Sequence, residues 1–416
     1  MSSTTEAATK ATAPTPGSGG RPRLAQGWRI VAALAVTQTI GYGVLYYAFS
    51  VFLTPMAADL HAGGAQIAAA LTGSILIAAL CAPLVGRLLD ARGGRGLMTA
   101  GSIIGTLAVL AWSRVENLPQ LYAVFTAIGI ACAMVLYESA FAVIVSWFDG
   151  PTPGHGRANA LLALTVVAGF ASTIFLPLTG LLVDSYGWRT ALVVLAVIYG
   201  AAAIPLHAFV VRRPARAGRR PVTTHERAQV VKAATRRRPF WLLVIAFTAN
   251  GGAAAVMSVL LITYLIHLGH SPVLAATLAG LLGVLSVTGR LLTTGLQRRL
   301  PAALIAAAIF ALQGVAAALL PPAGHTVPGA IGCVLGFGLG FGIASITLPH
   351  LLLQRYDTSA YASLSGRIAA FSVADKALAP LGAVALAQAV GYQWVMAAVA
   401  VACAIAAFAL VAYHRV

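Results

Sequence analysis

Gly-Arg-Leu-Leu occurs twice, at Gly86–Leu89 and at Gly289–Leu292, each time at the end of a long apolar stretch. The copies lie 203 residues apart in a chain of 416. Leu176-Pro177-Leu178 and Ala379-Pro380-Leu381 repeat at the same offset. Gly187, before Trp188, is answered 204 residues later by Gly391, before Trp394. Punctuation that recurs at one large spacing predicts two halves built to the same plan.

Both halves are apolar. The chain is 59% hydrophobic and 9% charged, where soluble proteins carry about 25% charged residues. So few charges cannot cover a water-facing surface, which places the chain in a bilayer. A spanning helix needs about 20 apolar residues, each rising about 1.5 Å through about 30 Å of hydrocarbon. Twelve such segments are legible, at 29–55, 66–86, 97–113, 119–147, 158–184, 188–211, 240–267, 272–296, 301–320, 327–353, 362–390 and 392–413. The runs are solid Ala, Leu, Val and Gly. They lack the two-residue alternation of a membrane barrel. The fold class is therefore an all-α membrane protein, twelve helices in two pseudo-symmetric six-helix bundles. Its predicted organisation is a disordered tail at 1–28, bundles at 29–211 and 240–416, and a basic linker at 212–239.

The net charge of +17 invites a nucleic-acid reading. Its distribution argues against one. Arg87, Arg92 and Arg95 follow the second segment, Arg157 follows the fourth, and Arg212 to Arg238 crowd the link between the sixth and seventh. Every second loop is basic, and the opposite loops hold little beyond Arg114 and Arg189. This is the positive-inside pattern, which predicts cytoplasmic termini and a cytoplasmic linker in a cell-membrane protein. The linker also suits anionic headgroups of the lipid bilayer. Cys81, Cys132, Cys333 and Cys403 lie inside segments without metal-ligand or paired spacing, so they read as packing residues. No metal, nucleotide or other cofactor motif is present. Leu335 to Gly342 is glycine-rich, but no Walker lysine follows it, so it reads as close helix packing or a flexible gate.

Gly86-Arg-Leu-Leu-Asp90-Ala-Arg92-Gly93-Gly94-Arg95 resembles the signature of the major facilitator superfamily between its second and third helices. Gly86 would let a helix approach closely. Asp90 would sit near a helix N-terminus and near Arg95, and Gly93 would permit the turn. The resemblance implies a charged latch that closes the cytoplasmic side. The second copy has Thr293 where Asp90 stands. The stretch from Arg157-Ala-Asn159 through Ser172-Thr-Ile-Phe-Leu-Pro177 to Gly187-Trp188-Arg189 is similar to the monocarboxylate transporter branch. That branch implies a carboxylate anchor at Arg290. A guanidinium offers a bidentate fork and stays charged. Arg290 could equally be a membrane-surface anchor like Arg87. The branch's acid one turn earlier is Ser286 here, and its first-helix lysine falls near Tyr47.

Asp375 and Lys376 lie well inside the eleventh segment and Glu138 inside the fourth. Charge at such depth is costly and by default marks an ion or substrate path. Glu138 suits a proton carrier, or a fixed partner for an arginine near the cytoplasmic mouth. Tyr137 and Tyr47 could line the cavity, although aromatic stripes also serve packing. His207, His267, His270 and His350 read as interfacial. The expectation is a non-enzymatic, monomeric carrier with a small-molecule substrate and protons as partners. Substrate contacts would come from Arg290, Tyr47, Tyr137 and Lys376, and proton coupling from Glu138 and Asp375. The substrate class is a small organic anion, mainly a monocarboxylate; the alternative is export of hydrophobic drugs or natural products, with an acid recognising a cation.

Overall fold

A computed structural model describes residues 20–148, 155–212, 223–297, 299–356 and 358–416. The tail at 1–19 and linker residues 213–222 lie outside the described residues, and with them most of the expected disorder. The remainder of the tail is helical. The first helix starts at Gly20, and Trp28 packs edge-on against Phe148 with ring centroids 5.7 Å apart.

Helix α1 (Gly20–Tyr42) passes through a π-helical turn, Gly43–Tyr47, into α2 (Phe49–Asp59). Then come α3 (Gly64–Arg92), α4 (Gly94–Trp112), α5 (Leu118–Val135), α6 (Tyr137–Trp147), α7 (His155–Ala168) and α8 (Ala171–Pro205), the last ending in a π turn at Leu206–Val210. The linker holds α9 (Thr224–Thr235). The second half comprises α10 (Arg238–His267), α11 (Pro272–Leu296), α12 (Ala302–Ala323), α13 (Val327–Gly338), α14 (Ala344–Arg355), α15 (Tyr361–Val390) and α16 (Tyr392–Arg415).

Among the described residues, ten stretches are long and apolar enough to cross a membrane. One of them, Gly156–Val210, runs 55 residues and contains Gly187 at φ 76°. Glycine alone adopts that conformation cheaply, so the chain turns there and the stretch makes the fifth and sixth passes. Its counterpart Gly391, at φ 102°, separates α15 from α16. The tenth pass is divided between α13 and α14, each of 12 residues and too short alone. Twelve passes result. Arg189 of the Gly-Trp-Arg corner fastens the first half at one face: it bonds Asp59 at 2.8 Å and the Ser113 carbonyl at 3.0 Å.

The apolar cores show how the halves meet. At the face bearing Arg189, each half has its own core, one around Trp112 and Phe125, the other around Leu261 and Phe337. At the opposite, arginine-rich face, one core joins both halves, with Val85, Leu89 and Val145 packing with Phe240, Leu351 and Ile368. Helix α9 joins this core through Val231 and Ala234. A reciprocal Thr223–Glu226 capping box starts the helix.

Candidate substrate site

Apolar helices break where they need to turn side chains inward, and each break strands backbone groups that hydrocarbon cannot satisfy. The fourth pass breaks at Leu136, which is extended at φ −80°, ψ −166°. The tenth breaks between Gly338 and Ala344, and the fifth between Ala168 and Ala171. Leu136 and Leu339 stand 203 residues apart, so the breaks in the fourth and tenth passes are repeats of one another. Side chains take up the freed carbonyls. Gln38 Nε2 donates to Val135 O at 2.6 Å, and Ser139 Oγ donates to Ala133 O at 2.9 Å. Gln313 Nε2 donates to Phe337 O at 3.0 Å, and Asn250 Nδ2 donates to Gln313 Oε1 at 2.8 Å.

Arg290, on α11, completes this scheme between the halves. Its Nη1 donates to Thr165 O on α7 at 3.0 Å, and its Nε donates to Gly342 O at 3.3 Å. The side chain is 9% exposed. Gly342 has φ 88°, and a β-carbon there would lie 2.5 Å from Arg290 Nη2 and 2.6 Å from Ser286 Oγ. Among the described residues no carboxylate lies within ion-pair distance of Arg290. With serine at 286, neutral carbonyl oxygens hold the guanidinium. Tyr137, Tyr47 and Tyr42 of the first half interact with it electrostatically. Arg87, its repeat equivalent, is exposed at the end of α3. The structure separates the two, burying Arg290 at the centre and leaving Arg87 at the rim.

Glu138 lies in the first turn of α6, and Ser365 Oγ of α15 donates to its Oε2 at 2.7 Å. This bond joins the halves. The partner is a serine, not the arginine that one reading anticipated. Lys376 interacts electrostatically with Glu138 and Asp375. Asp375 packs on Gly252 of α10, where a β-carbon would overlap its carboxylate, and the Lys376 stem lies over Gly251. A side chain at either glycine would displace one of these charges.

The latch is built otherwise than the sequence suggested. Asp90 accepts the backbone N–H of Ala362 at 3.2 Å and of Ser363 at 2.7 Å. It therefore caps α15 from across the halves, satisfying N–H groups that a helix start leaves unpaired. Arg95 is exposed and forms no hydrogen bond or ion pair with Asp90 among the described residues. Arg227 of α9 takes the position near Asp90, donating from Nε to Ser359 O at 3.0 Å. Gly86 does allow close approach, since a β-carbon there would overlap the Ala362 carbonyl, and Gly93 turns at φ 81°. Sequence reasoning missed Thr165 and Ser365, for a backbone carbonyl or a lone serine carries no motif, and it read Gly342 only as part of a glycine-rich run. It also placed His207 at an interface. His207 is 1% exposed, bridging Ser102 and Thr37 at 2.6 and 3.0 Å.

Two halves, broken passes at mid-depth and a central unpaired cation define a membrane carrier. A family model described as Major Facilitator Superfamily matches residues 34–374, and the chain belongs to that superfamily. Monocarboxylate transporter 13 of Bos taurus is 25% identical over 336 residues, covering 78% of this chain and 75% of that protein. An MFS-type transporter of Gibberella moniliformis is 26% identical, covering 77% and 75%. The fold resembles the Major Facilitator Superfamily transporter FucP in the outward conformation (TM-score 0.70, 14% identity, 92% of this chain and 98% of that one). It also resembles the human organic anion transporter MFSD10 (TM-score 0.63, 16% identity, 94% and 98%).

Proposed function

We propose that the protein is a proton-coupled secondary transporter that moves a small organic anion, a monocarboxylate, by alternating access. The observation that carries this is Arg290. A buried guanidinium between the halves, held only by carbonyl oxygens, has its charge uncompensated, and a carboxylate is the group that fits its fork. On this reading the arginine-rich face is cytoplasmic. The shared core, the Asp90 cap and the Glu138–Ser365 bond then close that side, and the cavity opens outward.

A carboxylate arriving at Arg290 would replace Thr165 O and Gly342 O. Losing the Thr165 bond removes a tie between the halves, which couples substrate arrival to rocking. Glu138 and Asp375 are the groups able to change charge, and protonating Glu138 would weaken its charge-assisted bond to Ser365. Lys376 beside both acids supports anion handling over cation recognition, which disfavours the drug-export alternative. Cell-membrane residence and a monomeric state belong to the same reading.

Labelled lactate or pyruvate uptake into proteoliposomes, with and without an imposed pH gradient, tests it. The expected result is saturable uptake above protein-free vesicles, stimulated by the gradient and lost in Arg290→Lys. Uptake indistinguishable from empty vesicles for every carboxylate tried would remove the proposal.

A further inference from the structure

We propose that the acid carried at Arg290 is a planar aromatic one, its carboxylate on the guanidinium and its ring on a wall of tyrosines. This rests on the carboxylate reading above. Of 12 tyrosines in the chain, four gather here: Tyr42, Tyr46 and Tyr47 on the first pass and Tyr137 at the start of α6. The Tyr42 ring centroid is 4.6 Å from that of Tyr137 and 6.4 Å from those of Tyr46 and Tyr47. Tyr46 and Tyr47 are 5.2 Å apart, and Tyr137 stacks on Phe141 at 5.2 Å and 9°. These are distances of rings in mutual contact. They make one contiguous aromatic cluster.

The backbone is bent to build this wall. Five residues of regular α-helix would turn Tyr47 about 140° away from Tyr42. The π turn at Gly43–Tyr47 is wider and brings Tyr47 round beside Tyr46. Phe175 of α8 lies over Gly43, where any β-carbon would overlap its ring. Such turns concentrate at functional sites.

Packing alone does not account for the hydroxyls. Membrane tyrosines ordinarily sit at the water interface. Here the hydroxyls of Tyr42, Tyr46, Tyr47 and Tyr137 have no hydrogen-bond partner among the described residues. They are open rather than buried, since Tyr46 is exposed and Tyr42, Tyr47 and Tyr137 are half-buried, so each can meet a guest. Arg290 interacts electrostatically with Tyr47 and Tyr137 of the cluster. Arg290 repels cations, so the guest is an anion with a flat apolar body and a polar edge. A three-carbon acid would leave most of the wall uncovered, since each ring offers roughly 150–250 Å².

The test uses purified full-length protein in detergent, with isothermal titration of 4-hydroxybenzoate, benzoate, cyclohexanecarboxylate and lactate. All carry one carboxylate, and cyclohexanecarboxylate matches benzoate in size without being flat. Binding of 4-hydroxybenzoate about tenfold tighter than of cyclohexanecarboxylate or lactate is expected. Tyr137→Leu should erase that preference. Tyr137→Phe should keep the preference for flat rings. The wild-type series decides even where a variant fails to fold. Equal affinities for flat and non-flat acids would overturn the aromatic proposal and leave the carboxylate site standing. Failure of every acid to bind, or an Arg290→Lys protein that binds them all normally, would overturn both.

Discussion

At the scale of single residues, the same arginine in two repeats has two environments. Arg290 spans two carbonyls on different halves, and Arg87 is exposed. A lysine ammonium cannot reproduce a planar fork, though it satisfies a need for positive charge alone. Arg290→Lys should therefore cut transport at least about tenfold, and Arg87→Lys should stay within about twofold. Equal, small effects in matched vesicles would count against a central role for Arg290. Asp90→Asn keeps an acceptor for α15 but loses its charge. An ionised acceptor is roughly twice as strong as a neutral one, so cycling should slow while abundance stays near normal; unchanged transport at normal abundance would argue against the latch. Glu138→Gln or Asp375→Asn should abolish accumulation driven by a pH gradient and spare substrate exchange. Accumulation surviving both changes together would place the proton path elsewhere. The sequence made Asp90, Glu138 and Arg290 visible because charge is rare in an apolar chain. It hid their partners, because Ala362, Ser363, Thr165 and Gly342 contribute backbone atoms.

At the scale of elements, the twelve passes were legible from length and hydropathy alone, and their interruptions were not. Periodicity is silent where a helix is apolar on both sides of a break. Leu136 has neither glycine nor proline beside it, and only the side-chain donors Gln38 and Ser139 reveal why its break is tolerated. The glycine run before Ala344 gave a clearer signal, read as packing or a gate. Close packing is seen at Gly338, which lies against Leu285, while Gly342 adopts φ 88° beneath Arg290. Gly342→Ala should therefore weaken substrate binding about tenfold, in keeping with a cost of order 1–3 kcal/mol for such backbone strain. Gly332→Ala, where a β-carbon meets nothing within 4 Å, is the matched control and should be silent. Similar affinities in both variants would detach the break from the site.

At the scale of the molecule, the repeat announced two equivalent halves, and the fold is indeed pseudo-symmetric while its chemistry is not. Glu138 and the clustered tyrosines lie on the first half, and Arg290, Asp375 and Lys376 on the second. Charge asymmetry of the loops predicts that a reporter fused after Arg220 is active only inside the cell; activity outside would invert the topology. The Asp90 cap has one more consequence, for measurement. The first N–H groups of a helix have no intrahelical carbonyl to bond, so among the described residues the Asp90 carboxylate, on the other half, is the hydrogen-bond partner of the two buried amides of Ala362 and Ser363. Their deuterium uptake is thus a built-in clock: slow while that face is shut, fast each time the halves part, and readable by mass spectrometry in unlabelled, unmutated protein.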